Sequence, residues 1–301
     1  MNIKKIIYAW ISKTFMGGCS NYNSLEVRRG CRSKQQARDK FQQGHIPYAK
    51  GLIFFNPFTA ISFAKKYGFP LVIKPNVSGF SRGSHFPIRN YKELWKAIFL
   101  AKCWWPFTVV EQYLEGKNYR VVVANGEIIS VLQRYAPSVK GDGKSTIREL
   151  MKKENTIREV MQLYPVISPL KETAQTRAFL KKQGFNFESV LESGQRVTLF
   201  YRISLAPGGV VEVINKQLLP EVNQALFKQV LNLFDANILG IDVILEKGIE
   251  FDYRAQKCIF LEVNSRPYLK MHAYPRYGQA EDLSSTLALL DALDIKQSDT
   301  F

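Results

Sequence analysis

The chain has 301 residues, of which 46% are hydrophobic and 23% charged, enough for a sizeable core in one or two closely joined subdomains. Its four cysteines (Cys19, Cys31, Cys103, Cys258) are scattered without CxxC pairing, so neither a zinc site nor a disulfide framework is suggested, and a reducing, cytoplasmic setting fits best. The 42 Lys+Arg against 26 Asp+Glu leave a formal charge of +16, which biases the chain towards acidic partners.

Half of that excess lies in residues 1–50, where ten basic residues face only Glu26 and Asp39. Lys4-Lys5, the apolar stretch Ile6 to Met16 and Gly17-Gly18-Cys19 imitate an export signal. Ser12, Lys13 and Thr14 interrupt the apolar run, so a short amphipathic helix that packs on the protein or touches a membrane surface is expected instead. Ser33 to Gln43 predicts a basic helix stopped by Gly44 and Pro47. Asn56-Pro57 opens a helix through Lys66, closed at Tyr67-Gly68. Phe69 to Pro75 predicts a buried strand ending in Lys74, followed by a Gly/Ser loop from Asn76 to Ser84 and a strand over His85 to Ile88. A lysine leaving a strand into such a loop can present backbone N–H groups and a point charge to phosphates, although the P-loop order is absent. A plain hairpin with a solvated lysine is the competing expectation for this loop alone.

Asn90 to Lys102 predicts a helix and Phe107 to Leu114 a strand. Tyr119 to Ala124 and Glu127 to Arg134 form a hairpin about Asn125-Gly126. Ser145 is the expected cap of a helix over Ile147 to Lys153, and residues 154–195 are expected to be mostly polar and helical. Strands follow at Val197 to Ile203 and Val210 to Ile214, then an amphipathic helix from Pro220 to Phe234 and a last helix from Asp282 to Leu293. Trp104-Trp105 is expected as a packed surface corner, and Cys103 and Cys258 as core residues.

Two apolar strands between those last helices each carry a lone acid: Gly240-Ile241-Asp242-Val243-Ile244 and Phe260-Leu261-Glu262-Val263-Asn264. Glu262 and Asn264 share a strand face, and Pro267 forbids continuation of the strand. Carboxylate and amide oxygens in this pattern suit Mg²⁺, with Mn²⁺ as a substitute, although two strand-end acids facing water would look the same in sequence.

The order of these motifs resembles the ATP-grasp superfamily of carboxylate–amine ligases: Lys34, then Lys74-Pro75 and its loop, Val110-Glu111-Gln112-Tyr113-Leu114-Glu115-Gly116, Gly240-Ile241-Asp242 and Glu262-Val263-Asn264. Within it the chain is similar to the ATP-grasp part of cyanophycin synthetase and of bifunctional glutamate–cysteine ligase/glutathione synthetase. Arg134 with Lys140 to Leu150, Lys182-Gln183-Gly184 with Glu188-Ser189-Val190 and Gly194, and Met271 to Pro275 with Gly278 carry that similarity.

The resemblance implies an α+β ATP-grasp fold in which two α+β subdomains grip ATP. A basic segment (1–33) precedes a small subdomain (34–114) and a large one (115–301), the latter with a partly helical insertion near 145–195. It implies that Lys34 and Lys74 contact the phosphates beneath a loop including Ser78, Gly79, Ser81 and Gly83. Glu111 would accept from the adenine amine, the backbone at Gln112 and Leu114, flanking Tyr113, would read the ring edge, and Asn118 would meet the ribose. Asp242, Glu262 and Asn264 would hold Mg²⁺, Arg266 would face an acyl phosphate, and Arg120, Arg134 and Arg202 would contact substrate or phosphate.

The chain departs from the family pattern at three places. Asn118 stands where an acid is usual. The acceptor-site run is reduced to Phe200 to Gly209, with Arg202 offset and Ser204 in place of an asparagine. The large domain that precedes the grasp in these relatives is expected to be lacking, or supplied by a partner protein. The expected activity is amide or peptide bond formation from ATP, an amino-acid- or peptide-like carboxylate and an amine, with acidic substrates favoured by the charge and with release of ADP and phosphate. The alternatives are a peptide- or protein-modifying ligase, or a catalytically weak ATP-binding subunit that works with a partner protein or as a homodimer. Nucleic acid is disfavoured because no binding module is legible.

Overall fold

A computed structural model of the chain describes residues 22–32, 34–76 and 83–292. Two antiparallel sheets organise it. The first has the order β1-β4-β2-β3, from β1 (Gly51–Phe54), β2 (Leu71–Pro75), β3 (His85–Ile88) and β4 (Thr108–Gln112). The second has the order β11-β10-β5-β6-β9, from β5 (Lys117–Ala124), β6 (Glu127–Tyr135), β9 (Val210–Val213), β10 (Ile238–Leu245) and β11 (Cys258–Asn264). The small sheet β7 (Ser138–Lys140) with β8 (Arg196–Thr198) brackets the segment 145–195. The mixed helices and antiparallel sheets agree with the α+β expectation.

Helices α1 (Leu25–Arg32) and α2 (Lys34–Gln43) precede β1, and α3 (Pro57–Tyr67) and α4 (Tyr91–Trp104) cover one face of the first sheet. Asn56 caps α3 through Phe58 N, with Pro57 pre-set for the first turn, and Asn90 caps α4 through Glu93 N. Their buried stripes (Ala60, Phe63, Ala64; Leu94, Ala97, Ile98, Ala101) close a core with Leu71, Ile73 and Val110. α7 (Glu221–Leu233) lays Leu226, Phe227, Val230 and Leu231 on the second sheet, each side chain contributing roughly 1.5–3 kcal/mol by burial. α2 packs on this second core, with Phe41 edge-on to Phe234 and Phe260. The C-terminal α8 (Ser284–Asp291) is tied back through Tyr22, whose hydroxyl meets Asp291 Oδ1 at 2.5 Å.

Several local expectations are corrected. Thr146, not Ser145, caps α5 (Ile147–Val160), in a reciprocal capping box with Glu149, while Asp142 holds the Ser145 hydroxyl at 2.8 Å. α6 (Ala174–Lys182) is the insertion's other α-helix, so residues 183–195 are loop and bridge rather than helix. The strand expected over 197–203 stops at Thr198, because the aromatic pair Phe200/Tyr201 packs on Phe179 of α6 instead of pairing in a sheet. Trp104 and Trp105 stand exposed, and Cys103 is exposed rather than core. Residues 1–21, which hold the expected amphipathic segment and Cys19, lie outside the described residues. Among those that are described, no helix is long and apolar enough to cross a membrane.

Candidate active site

The two sheets face each other across a cleft of about 740 Å³. The first contributes Lys74 and Ser84, and the second contributes Arg120, Arg134, Glu262 and Asn264. The loops at Pro165–Ser168 and Ile203–Ala206 form its outer wall.

Register places the acids. Arg120 on β5, Asp242 on β10 and Glu262 on β11 are direct cross-strand partners, so the three side chains form one row along the sheet face. Asp242 is 3% exposed. Its Oδ1 accepts from Arg120 Nε at 2.7 Å and its Oδ2 from Arg120 Nη2 at 2.8 Å, while Arg134 Nη2 forms an ion pair with Oδ2 at 3.0 Å. Burial pushes this carboxyl up, but the two guanidiniums more than offset it and hold Asp242 at about 2. Glu262 moves the opposite way. Its side chain is exposed to the cleft, but desolvation by the surrounding protein raises it first and the Asp242 charge second, a hydrogen bond to Asp242 favours its protonated form, and Arg120 and Arg134 offset part of the rise.

This donor set fits a hard divalent cation. A carboxyl pair that shares a proton across two strands is a place where a cation can replace that proton. Asn264 Nδ2 is buried with no hydrogen-bond partner among the described residues, and Asn264 lines the cleft. Arg120 engages both oxygens of Asp242 and Arg134 pairs with one of them, so a cation at this row would draw mainly on Glu262 and Asn264. Among the described residues no three His, Cys, Asp or Glu side chains cluster as a metal site, so the set would be two carboxylates and an amide. Gly240 makes this corner possible. A Cβ there would lie 2.8 Å from Pro267 Cβ, the residue that ends the metal-side turn.

Opposite this row, Glu111 of β4 is buried and pairs with both Lys74 and Arg38. Glu111 thus fixes two cations rather than standing open. Arg38 was missed in the sequence. Its clue is the spacing of four from Lys34 on α2, which puts the two on one helix face. Gly51 leaves room for the pair, since a Cβ there would meet Glu111 Cγ at 2.6 Å and Arg38 Nη2 at 2.7 Å.

The remaining expected residues distribute as follows. Gln112, Tyr113 and Leu114 line a second cavity of about 680 Å³, with Cys258 and Ile259 across from them. The Gln112 and Tyr113 N–H groups already donate to the Lys50 and Pro70 carbonyls at 2.9 and 3.1 Å. Asn118 is buried, and its Oδ1 accepts from Arg134 Nε at 2.6 Å. Arg202 is not brought into the cleft; it lies over the Phe200 and Tyr201 rings at 5.3 and 5.6 Å. Arg266 is partly buried in the turn after β11, and burial lowers its pKa. Gly83 is described, while Ser78, Gly79, Ser81 and the Lys34 side chain lie outside the described residues. His272 is fully buried against Ser130 Oγ at 2.7 Å, and burial followed by the nearby Arg120 lowers it to about 3. Leu261 is the extra residue of a bulge beside Glu262, and its exposed side chain was not singled out from sequence.

No protein-family model matches the chain. It is similar to the cyanophycin synthetase of Synechocystis sp., at 30% identity over 271 residues that make up 88% of this chain and 31% of that protein. It is also similar to the glutathione biosynthesis bifunctional protein GshAB of Streptococcus agalactiae, at 28% identity over 284 residues, 89% of this chain and 36% of the relative. The chain spans about a third of the length of the curated relatives it matches. Among solved structures, a bifunctional glutathione synthetase from Pasteurella multocida matches with a TM-score of 0.65 at 20% identity, covering 91% of this chain and 38% of that one. The ATP-grasp ligase PsnB complexed with minimal precursor matches with a TM-score of 0.51 at 13% identity, over 89% of this chain and 61% of that one. The fold is that of the ATP-grasp ligases, and the resemblance drawn from the motifs holds in sequence and in architecture.

Proposed function

We propose, from this ATP-grasp fold, that the chain is an ATP-dependent carboxylate–amine ligase that activates its carboxylate as an acyl phosphate. The observation that carries the reading is the Arg120–Asp242–Glu262 row facing Lys74 across one cleft. In the proposed reaction a carboxylate oxygen attacks the γ-phosphorus of ATP, and the bond to the β–γ bridging oxygen breaks to release ADP. The amine then attacks the acyl carbon, loses a proton and expels phosphate. Mg²⁺ held by Glu262, Asn264 and Asp242 would neutralise charge building on the β- and γ-phosphoryl oxygens.

The chain's own residues position and neutralise. Lys74, kept in place by Glu111, offers a fixed cation to the transferred phosphoryl group. Arg38 supports it from α2. Arg120 and Arg134 anchor Asp242, while the Arg266 guanidinium is the fork suited to acyl-phosphate oxygens. No side-chain nucleophile is required.

Relatives named for cyanophycin synthesis and glutathione biosynthesis support amino-acid- or peptide-like substrates, and the +16 charge favours acidic ones. A coupled ADP-release screen over pooled amino acids, short peptides and polyamines tests the proposal. A productive pair should yield ADP, with labelled carboxylate oxygen appearing in inorganic phosphate. AMP and pyrophosphate from that pair would mean adenylation and would overturn the acyl-phosphate route.

A further inference from the structure

α4 is apolar on two sides. Leu94, Ala97, Ile98 and Ala101 fill the core beneath it, as an amphipathic helix requires. A second stripe at helical spacing, Tyr91, Trp95, Phe99 and Lys102, points away from that core. Trp95 meets Phe58 of α3 edge-on at 5.9 Å, Phe55 lies against Phe107 at 5.7 Å, and Lys102 Nζ lies 5.0 Å from the Phe55 ring. Phe55, Phe58, Trp95, Phe99 and Phe107 are between 45% and 69% exposed, so among the described residues these five large rings on and beside α3 and α4 are left open to solvent, away from the cleft. An aromatic surface of this kind marks an interaction site.

The fringe of the patch carries the sign of its partner. α3 and α4 hold Lys65, Lys66, Lys92, Lys96 and Lys102 against a single acid, Glu93. That acid is engaged at the helix start, where Glu93 Oε2 accepts from Arg89 N at 2.7 Å. Rings with lysines at their edge match the boundary between acyl chains and anionic headgroups, where aromatic side chains sit and lysine stems reach outward to phosphate. A second copy is a poorer partner, because face-to-face contact would set lysine against lysine on a chain of charge +16.

We propose that this aromatic, lysine-fringed face is a docking surface for an anionic lipid bilayer, on which the protein lies without spanning it. The proposal is independent of the ligase chemistry, since none of these side chains lines the cleft.

The full chain should co-sediment with vesicles of phosphatidylglycerol in phosphatidylcholine and bind pure phosphatidylcholine about tenfold or more weakly, with binding lost at high salt. Tryptophan emission should shift to the blue on binding, because Trp95, Trp104 and Trp105 all lie on this half of the molecule. Phe58→Ser/Phe99→Ser replaces exposed rings, so the fold and ADP release should be kept while vesicle affinity falls by about tenfold or more. Equal binding of the variant and the parent chain would overturn the proposal, as would equal recovery with neutral vesicles. A concentration-dependent dimer abolished by the same variant would assign the face to a second copy instead. Binding of a single-stranded oligonucleotide, lost in the variant while vesicles are ignored, would also overturn it.

Discussion

Asp242 and Glu262 face one another directly across β10 and β11, yet their carboxyls are driven apart: Asp242 to about 2, Glu262 upward. Asp242 is buried and held by hydrogen bonds from Arg120 and an ion pair with Arg134. Glu262 opens onto the cleft, and the same arginines offset only part of what desolvation and the Asp242 charge add. The pair therefore joins one anchored anion to one carboxyl that a cation in the cleft would favour in its charged form. Glu262→Gln keeps the shape and removes that charge. Turnover should fall by about 10²-fold or more while nucleotide binding survives, and the Mg²⁺ dependence should shift to higher concentration. An Mg²⁺ titration of both proteins checks this, and unchanged dependence would remove Glu262 from the metal set.

Lys74 ends β2 with its ammonium on Glu111, and its neighbour on that carboxylate is Arg38. Lys74→Ala should lower kcat/KM by about 2–4 kcal/mol of transition-state stabilisation. The fold should persist, since Arg38 still satisfies Glu111. A thermal melt separates the two effects: an unchanged Tm with a lost rate is expected, and a full rate would refute the phosphate role.

His272 gives a pH signature independent of catalysis. Burial, followed by Arg120, lowers its folded value to about 3 from the ordinary 6.5. Above about 6.5 the imidazole is neutral in both states and its contribution to stability is whole. As the pH falls below 6.5 the unfolded chain takes up a proton that the folded chain refuses, so stability declines by at most about 1.4 kcal/mol per unit, continuing towards pH 3. Urea titrations at pH 7.5, 6.5, 5.5 and 4.5 should show this slope, and His272→Gln should flatten it.

Legibility in the sequence followed the range of the interaction. Asp242, Glu262 and Asn264 stood out because a lone acid in an apolar strand is expensive, and period-two geometry alone puts Glu262 and Asn264 on one face. Register across β5, β10 and β11 then paired Arg120 with Asp242, whereas the family resemblance had pointed Arg120 at substrate or phosphate. Arg38 was illegible as a site residue because its partner Glu111 lies 73 residues away. The four-residue edge strand β1 shows no alternation of burial, and it is held by pairing to β4 rather than by propensity. Phe200 and Tyr201 looked like strand residues, yet packing on Phe179 overrode that preference. Exposure of the rings on α3 and α4 was equally hidden, since an apolar run reads as core until the second side of the helix is seen to have none of the described residues over it.

The insertion is fastened by Glu154 of α5, which joins two arginines. Its Oε1 accepts from Arg158 Nε at 2.9 Å and from Arg276 Nε at 3.0 Å, and its Oε2 accepts from Arg276 Nη2 at 3.1 Å. Arg158 is 1% exposed and also donates through Nη1 to the Ser168 and Gly208 carbonyls at 2.9 and 3.0 Å. Burial raises Glu154, but Arg276 and then Arg158 lower it further, so its folded value is below the ordinary one. Its contribution is therefore present above about pH 4.5 and is lost as the pH falls through the folded value. Glu154→Gln should cost about 3–5 kcal/mol, because it strands a buried guanidinium. The loss should appear as faster amide exchange in α5 and the 163–170 and 204–209 segments, which Arg158 ties together. Adding Arg158→Met removes the stranded charge, so the double variant should be more stable than Glu154→Gln alone. If the double variant is instead less stable by the full sum of the single effects, Glu154 and Arg158 are not coupled and the fastening lies elsewhere.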